Sequence, residues 1–151
     1  MNIRSEIKDI EKNIIDWRRD FHRYPELGFD EHRTSKMIGE ALKEMGLAPK
    51  MNVGKTGVTA DLTFGEGPTI ALRADMDALP MQETSGLEFS SQHDGVMHAC
   101  GHDGHMAMLL GAAKVLTQNG NGFNGTVRFI FQPAEEGAGG ARYMIEDGCL
   151  D

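Results

Sequence analysis

Apolar positions near the N-terminus alternate spacings of four and three. Ile3, Ile7, Ile10, Ile14, Trp17 and Phe21 stand among charged residues, which lays one apolar stripe along a helix ending near Tyr24-Pro25. The spacing also fits a heptad, but it runs for too few repeats to favour a coiled coil over ordinary packing. Pro25-Glu-Leu-Gly28 reads as a turn. A second helix is predicted from Asp30 or Glu31 to Met45, burying Met37, Ile38, Ala41, Leu42 and Met45 and capped by Gly46. Beyond it the period shortens to that of a strand. Val58–Phe64 and Thr69–Arg73 read as two strands joined by Gly65-Glu-Gly-Pro68, a predicted hairpin, and the second runs into Ala74-Asp-Met-Asp-Ala-Leu-Pro80. Residues 81–97 have no period and are rich in Ser, Gly, Gln and His, so a loop is expected.

From Asp103, taken as an N-cap, the positions Met106, Leu109, Leu110, Ala113 and Leu116 predict a helix that stops at Asn119-Gly-Asn-Gly122. Thr126–Phe131 reads as a short buried strand that ends in Gln132-Pro-Ala-Glu-Glu-Gly137, and a last helix is expected from about Ala138 to Asp147-Gly148. This alternation predicts one domain of the α/β class, layered, with the hairpin making its sheet mixed. No internal repeat, linker or low-complexity tract interrupts it.

The chain has 151 residues, and its net charge of −8 contains no basic run, which argues against a nucleic-acid or membrane surface and for small-molecule chemistry. Its two cysteines do not make a disulfide framework, and Met1-Asn-Ile-Arg-Ser-Glu lacks the pattern of a signal peptide, so a reducing, cytoplasmic setting is expected. No apolar run approaches the roughly 18 residues of a membrane span.

Chemistry concentrates in His98-Ala-Cys-Gly-His-Asp-Gly-His105. Cys thiolate and His nitrogen are transition-metal ligands, and Cys100 and His102 reach one site if Gly101 turns the backbone sharply between them. A zinc finger is excluded, because the only other thiol, Cys149, lies far off. Further ligands must come from elsewhere, with carboxylates the first place to look. Glu135-Glu136 can divide two tasks, Glu136 binding a metal and Glu135 taking a proton from water beside it; the other reading is a solvated helix start favoured by the dipole. Asp75 and Asp77 offer a ligand or a partner fixing an imidazole's orientation, or else an Asx-type turn before Pro80. Cys100 as a small buried hydrophobe is the remaining alternative for the thiol. His98 and His105 are weaker candidates, and His22 and His32 are expected to be surface or packing residues. Asp75/Asp77, Cys100/His102 and Glu135/Glu136 each fall just after a predicted strand or just before a helix, where open α/β sheets gather their sites.

Four motifs in order, Trp17–Gly28, Leu72–Pro80, Met97–His105 and Phe131–Gly137, resemble the M20 metallopeptidase and amidohydrolase family, in its branch of N-acyl-amino-acid, hippurate and auxin-conjugate hydrolases. The resemblance implies a layered α/β/α catalytic domain with a mixed sheet. It implies two divalent ions (zinc, manganese or cobalt) on Cys100, His102 and Glu136, Cys100 bridging, with Glu135 as general base and Asp77 in support. The role of Asp75, where distant members carry a His ligand, stays open. The implied reaction is hydrolysis of the amide bond of an N-acyl amino acid by a metal-activated water. Family members are longer, with a dimerisation/lid domain and a C-terminal catalytic segment that brings two more histidines, and they are expected to form homodimers or homotetramers. The chain is therefore expected to be an N-terminal portion, incomplete at the C-terminal side of its sheet, that binds metal weakly and hydrolyses little alone. The rival expectation is a non-catalytic fragment or module that binds metal or a partner.

Overall fold

A computed structural model describes residues 3–120 and 124–151; the Ile3 side chain and Asn121-Gly122 of the expected helix stop lie outside the described residues. Among the described residues the elements are α1 (Ile3–Arg23), α2 (His32–Glu44), β1 (Lys50–Val53), β2 (Gly57–Thr63), β3 (Thr69–Asp75), α3 (His102–Asn119), β4 (Thr126–Gln132) and α4 (Gly140–Glu146). No described helix is long and apolar enough to cross a membrane.

The stripe of α1 faces inward, with Ile10 and Phe21 buried and Trp17 packed against the core, while Ile7 remains exposed. Helix α1 lies along α3, and Gly111 permits the approach: a Cβ there would stand 2.8 Å from Ile14 Cδ1. The first turn of α2 takes its cap from the preceding turn. The Glu26 carboxylate accepts the N–H groups of Arg33 at 3.0 Å and Thr34 at 2.8 Å, placing negative charge at the helix's positive end.

Both strands of the expected hairpin form, but they do not pair. The sheet order is β1-β2-β4-β3, so β4 lies between them, antiparallel to β2 and parallel to β3. Residues 65–68 clasp the start of β4 from both sides: Phe64 N–H donates to Gly125 O at 2.8 Å, and Thr126 N–H donates to Pro68 O at 2.9 Å. Gly67, at φ 157°, makes this close, since a Cβ there would lie 2.8 Å from Gly125 N. The sheet is mixed as expected, through a different pairing, and its hairpin is β1–β2. Strand β1 had no reading in the sequence; four residues are too few to show a period.

Phe129, Phe131, Val58, Ala60 and Ala74 share one core with Phe21, Ile38, Leu42, Met106 and Leu110, whereas Ile130 packs on the opposite face with Met144 and Cys149. Helices α1–α3 thus cover one face and α4 the other, an α/β/α layering. Asp103 is not the N-cap of α3. Gly101 holds that position, and the Asp103 side chain turns toward α1.

Candidate metal centre

Strands β3 and β4 run parallel and end together, with Asp75 opposite Gln132. The chain leaving β3 carries Asp77, and the chain leaving β4 carries Glu135 and Glu136. From the facing side, the start of α3 brings in Cys100 and His102. Gly101 sits at φ 108° with nothing within 4 Å of where a Cβ would be, so its backbone angle, not space, requires glycine there.

Donor atoms of Cys100, His102 and Glu136 lie within 4.8 Å of one another. Glu135 and Glu136 each place a carboxylate oxygen 3.9 Å from His102 Nε2. Asp77, 2% exposed, organises both sides of the cluster. Its Oδ2 accepts the Glu136 N–H at 2.9 Å, its Oδ1 lies 3.4 Å from His102 Nδ1, and its carbonyl oxygen accepts from that nitrogen at 2.8 Å. A carbonyl only accepts, so Nδ1 carries a proton and Nε2 is the nitrogen left for a ligand. Burial alone would raise the Asp77 carboxyl, but hydrogen bonds from His102 and from the backbone of Glu136 and Glu135 hold it below its usual range. The same Asp77 bond outweighs burial at His102 and lifts it to about 9, so ligation through Nε2 displaces a proton. A hydrogen bond to Glu136, then burial and the nearby carboxylates, push the Cys100 thiol up. Sulfur, imidazole nitrogen and carboxylate oxygen within one ion's reach, amid crowded negative charge, fit a divalent transition metal.

The structure also brings in residues that sequence reasoning missed. Glu31 is fully buried, and its carboxylate accepts the Ala134 N–H at 2.8 Å and the Thr56 hydroxyl at 2.5 Å. It thereby holds the turn that presents Glu135 and Glu136, in which Ala134 adopts φ 50°. Its one sequence signal, an acidic residue ahead of an apolar run, describes most helix starts. Gly28 packs under the same turn, where a Cβ would stand 2.9 Å from Ala134 Cβ. His22 is a buried packing residue, bonded to Asp103 at 2.9 Å and Glu83 at 3.2 Å, and His32 is exposed. His98 is 4% exposed, and burial pushes it down to about 4, so it is neutral. Asp75 pairs with Arg73 at 2.6 Å, and His105 is exposed beside it.

Residues 71–151 match the model of peptidase family M20/M25/M40. The chain is 51% identical over 146 residues to the N-acetyl-L-cysteine deacetylase of Bacillus subtilis, covering 96% of this chain and 35% of that protein. It is 49% identical over 152 residues to the hippurate hydrolase of Campylobacter jejuni, covering 100% of this chain and 39% of that one. The crystal structure of Bacillus subtilis YXEP protein, described as a dinuclear metal binding peptidase from the M20 family, superimposes with a TM-score of 0.91 at 49% identity, over 95% of this chain and 41% of that one. The chain thus spans about two fifths of the length of the relatives it matches. Strand-end carboxylates, a Cys-Gly-His turn and a paired-glutamate turn meet in one place, on a fold shared closely with these relatives, and the chain belongs to peptidase family M20/M25/M40.

Proposed function

We propose that the chain carries part of an amidohydrolase active site, and that the reaction it serves is hydrolysis of the amide bond of N-acyl amino acids. The observation that carries this reading is the convergence of Cys100, His102 and Glu136 with the Glu135 carboxylate beside them. The substrate class is supported by the activities named for the deacetylase and hippurate-hydrolase relatives. Residues 1–151 are the N-terminal portion of a catalytic domain in this reading.

Cys100, His102 and Glu136 would hold the divalent cations, two in this reading, which would supply Lewis acidity for the amide carbonyl and an acidified water. The chain's own residues do the rest. Glu135, with 41% of its side chain exposed, takes the proton of the attacking water and returns it to the departing amine nitrogen. The products balance as a carboxylic acid and a free amino acid. Asp77 keeps His102 oriented and fixes the backbone of Glu136, so both ligands stay aimed at one point.

The test joins residues 1–151 to the segment by which the Bacillus subtilis deacetylase exceeds them, and measures amino-acid release from a panel of N-acyl amino acids with added Zn²⁺, Mn²⁺ or Co²⁺. Turnover is expected, and Glu135→Gln should lower it about 10²–10⁴-fold with metal content unchanged. A chimera that binds metal without releasing amino acid sinks the reading, as does a Glu135→Gln rate equal to the parent's.

A further inference from the structure

Two sets of donors meet at His102. Cys100, His102 and Glu136 form one; Asp75, His102 and His105 form the other, and in each set the donor atoms lie within 4.8 Å of one another. Because His102 Nδ1 is committed to the Asp77 carbonyl at 2.8 Å, both sets depend on Nε2, and one lone pair serves one ion. His105 stands three residues along α3 from His102, on the same helix face, with ring centroids 5.3 Å apart. Asp75 is buried at the end of β3, where Arg73 pairs with its Oδ1. Asp75 and His105 also line an open groove of about 370 Å³ between β3 and α3, walled by Leu72 and Met108, whose lining includes none of His102, Cys100 and Glu136.

We propose that Asp75, His102 and His105 form an alternative position for one divalent cation, beside this groove and exclusive of ligation of His102 in the Cys100–Glu136 set. The two positions differ in chemistry. The thiolate set suits zinc and cobalt, whereas two imidazoles and one carboxylate, with no sulfur, also suit manganese(II) and iron(II). The nature of the ion therefore decides which side of His102 is loaded. The inference shares His102 with the hydrolase reading but none of its reaction steps.

The experiment titrates the 151-residue chain with Co²⁺, following heat and visible absorption, beside Cys100→Ala, Cys100→Ala/His105→Gln and Cys100→Ala/Asp75→Asn. The parent should show thiolate-to-cobalt charge transfer. Cys100→Ala should lose that band yet bind one Co²⁺ per chain, and either second substitution should weaken this binding at least about tenfold. Circular dichroism checks the fold of each variant. A direct reading that leaves His105 and Asp75 intact is the ring ¹⁵N spectrum of Cys100→Ala with Zn²⁺, in which one His105 nitrogen should move to the ligated position. The proposal is overturned if Cys100→Ala binds no cation, if both second substitutions leave its affinity within about twofold, or if the His105 nitrogens do not move. A chimera that fails to hydrolyse leaves these outcomes untouched, and their failure leaves the hydrolase reading standing, since Cys100 is intact there.

Discussion

Burial takes water from a carboxyl group and favours its neutral form, and this is the main force on Glu31, opposed by its hydrogen bonds from Thr56 and Ala134. Its folded pKa is raised, so its contribution to stability is complete below the ordinary glutamate range and is lost as pH rises through the folded value. The urea midpoint of the parent should therefore decline across that window relative to Glu31→Gln, which has no such proton to lose; parallel profiles would refute this. Glu31→Ala strips acceptors from two buried donors and should cost about 1–3 kcal/mol for each donor left unpaired. Gly28→Ala drives a Cβ against Ala134, so it should destabilise by about 1–3 kcal/mol and weaken cation binding, read by denaturation and metal titration. Unchanged binding would show that the Glu135–Glu136 turn does not depend on this contact. The meeting of Cys100, His102 and Glu136 was an expectation open to the sequence, because thiol, imidazole and carboxylate are donor types recognisable one residue at a time, and the structure brings them within 4.8 Å of one another. Glu31 was not, because its direction is set by Thr56 and Ala134, partners remote in sequence.

The same distinction separates helices from strand pairing. Helices α1 to α3 were read to within a few residues, since their apolar period is local. The partner of a strand is not local: the sequence makes β2 and β3 neighbours, whereas β4 lies between them, and nothing in Gly65–Pro68 distinguishes a tight turn from a loop that spans a third strand. Asp61 and Arg128 pin the resulting register. They face each other across β2 and β4 with two hydrogen bonds of 2.8 Å, and Arg128 also reaches the carbonyls of Cys149 at 2.9 Å and Asp151 at 2.7 Å. The guanidinium holds the Asp61 carboxyl below its usual range, so its stabilisation is present above the ordinary aspartate value and fades as pH falls through the lowered one. With Asp61 partly exposed, Asp61→Asn should cost less than about 1 kcal/mol and flatten the acid limb of a pH–stability profile. An unchanged acid limb would assign that limb to other carboxylates.

Across the whole molecule, the sheet has two edges among the described residues, β1 on the side of the β1–β2 hairpin and β3 on the other. Ile70 on that edge and Met108 on α3 are each 61% exposed, an apolar margin of the kind that invites association. Ile70→Lys should shift sedimentation toward monomer at high concentration while changing stability by no more than about 0.5 kcal/mol; equal association in both proteins would clear this edge of the role. The place of β4 also has a consequence during synthesis. On the ribosome, β1 and β2 can pair as soon as they emerge, but β3 has no partner in the sheet until residues 126–132 follow it. Asp77, Cys100 and His102 leave the exit tunnel before the strand that aligns them exists. A nascent chain stalled before β4 would therefore present the Cys100 thiol and the His102 imidazole without the Glu135–Glu136 turn, and the full set of donors comes together only once β4 has formed.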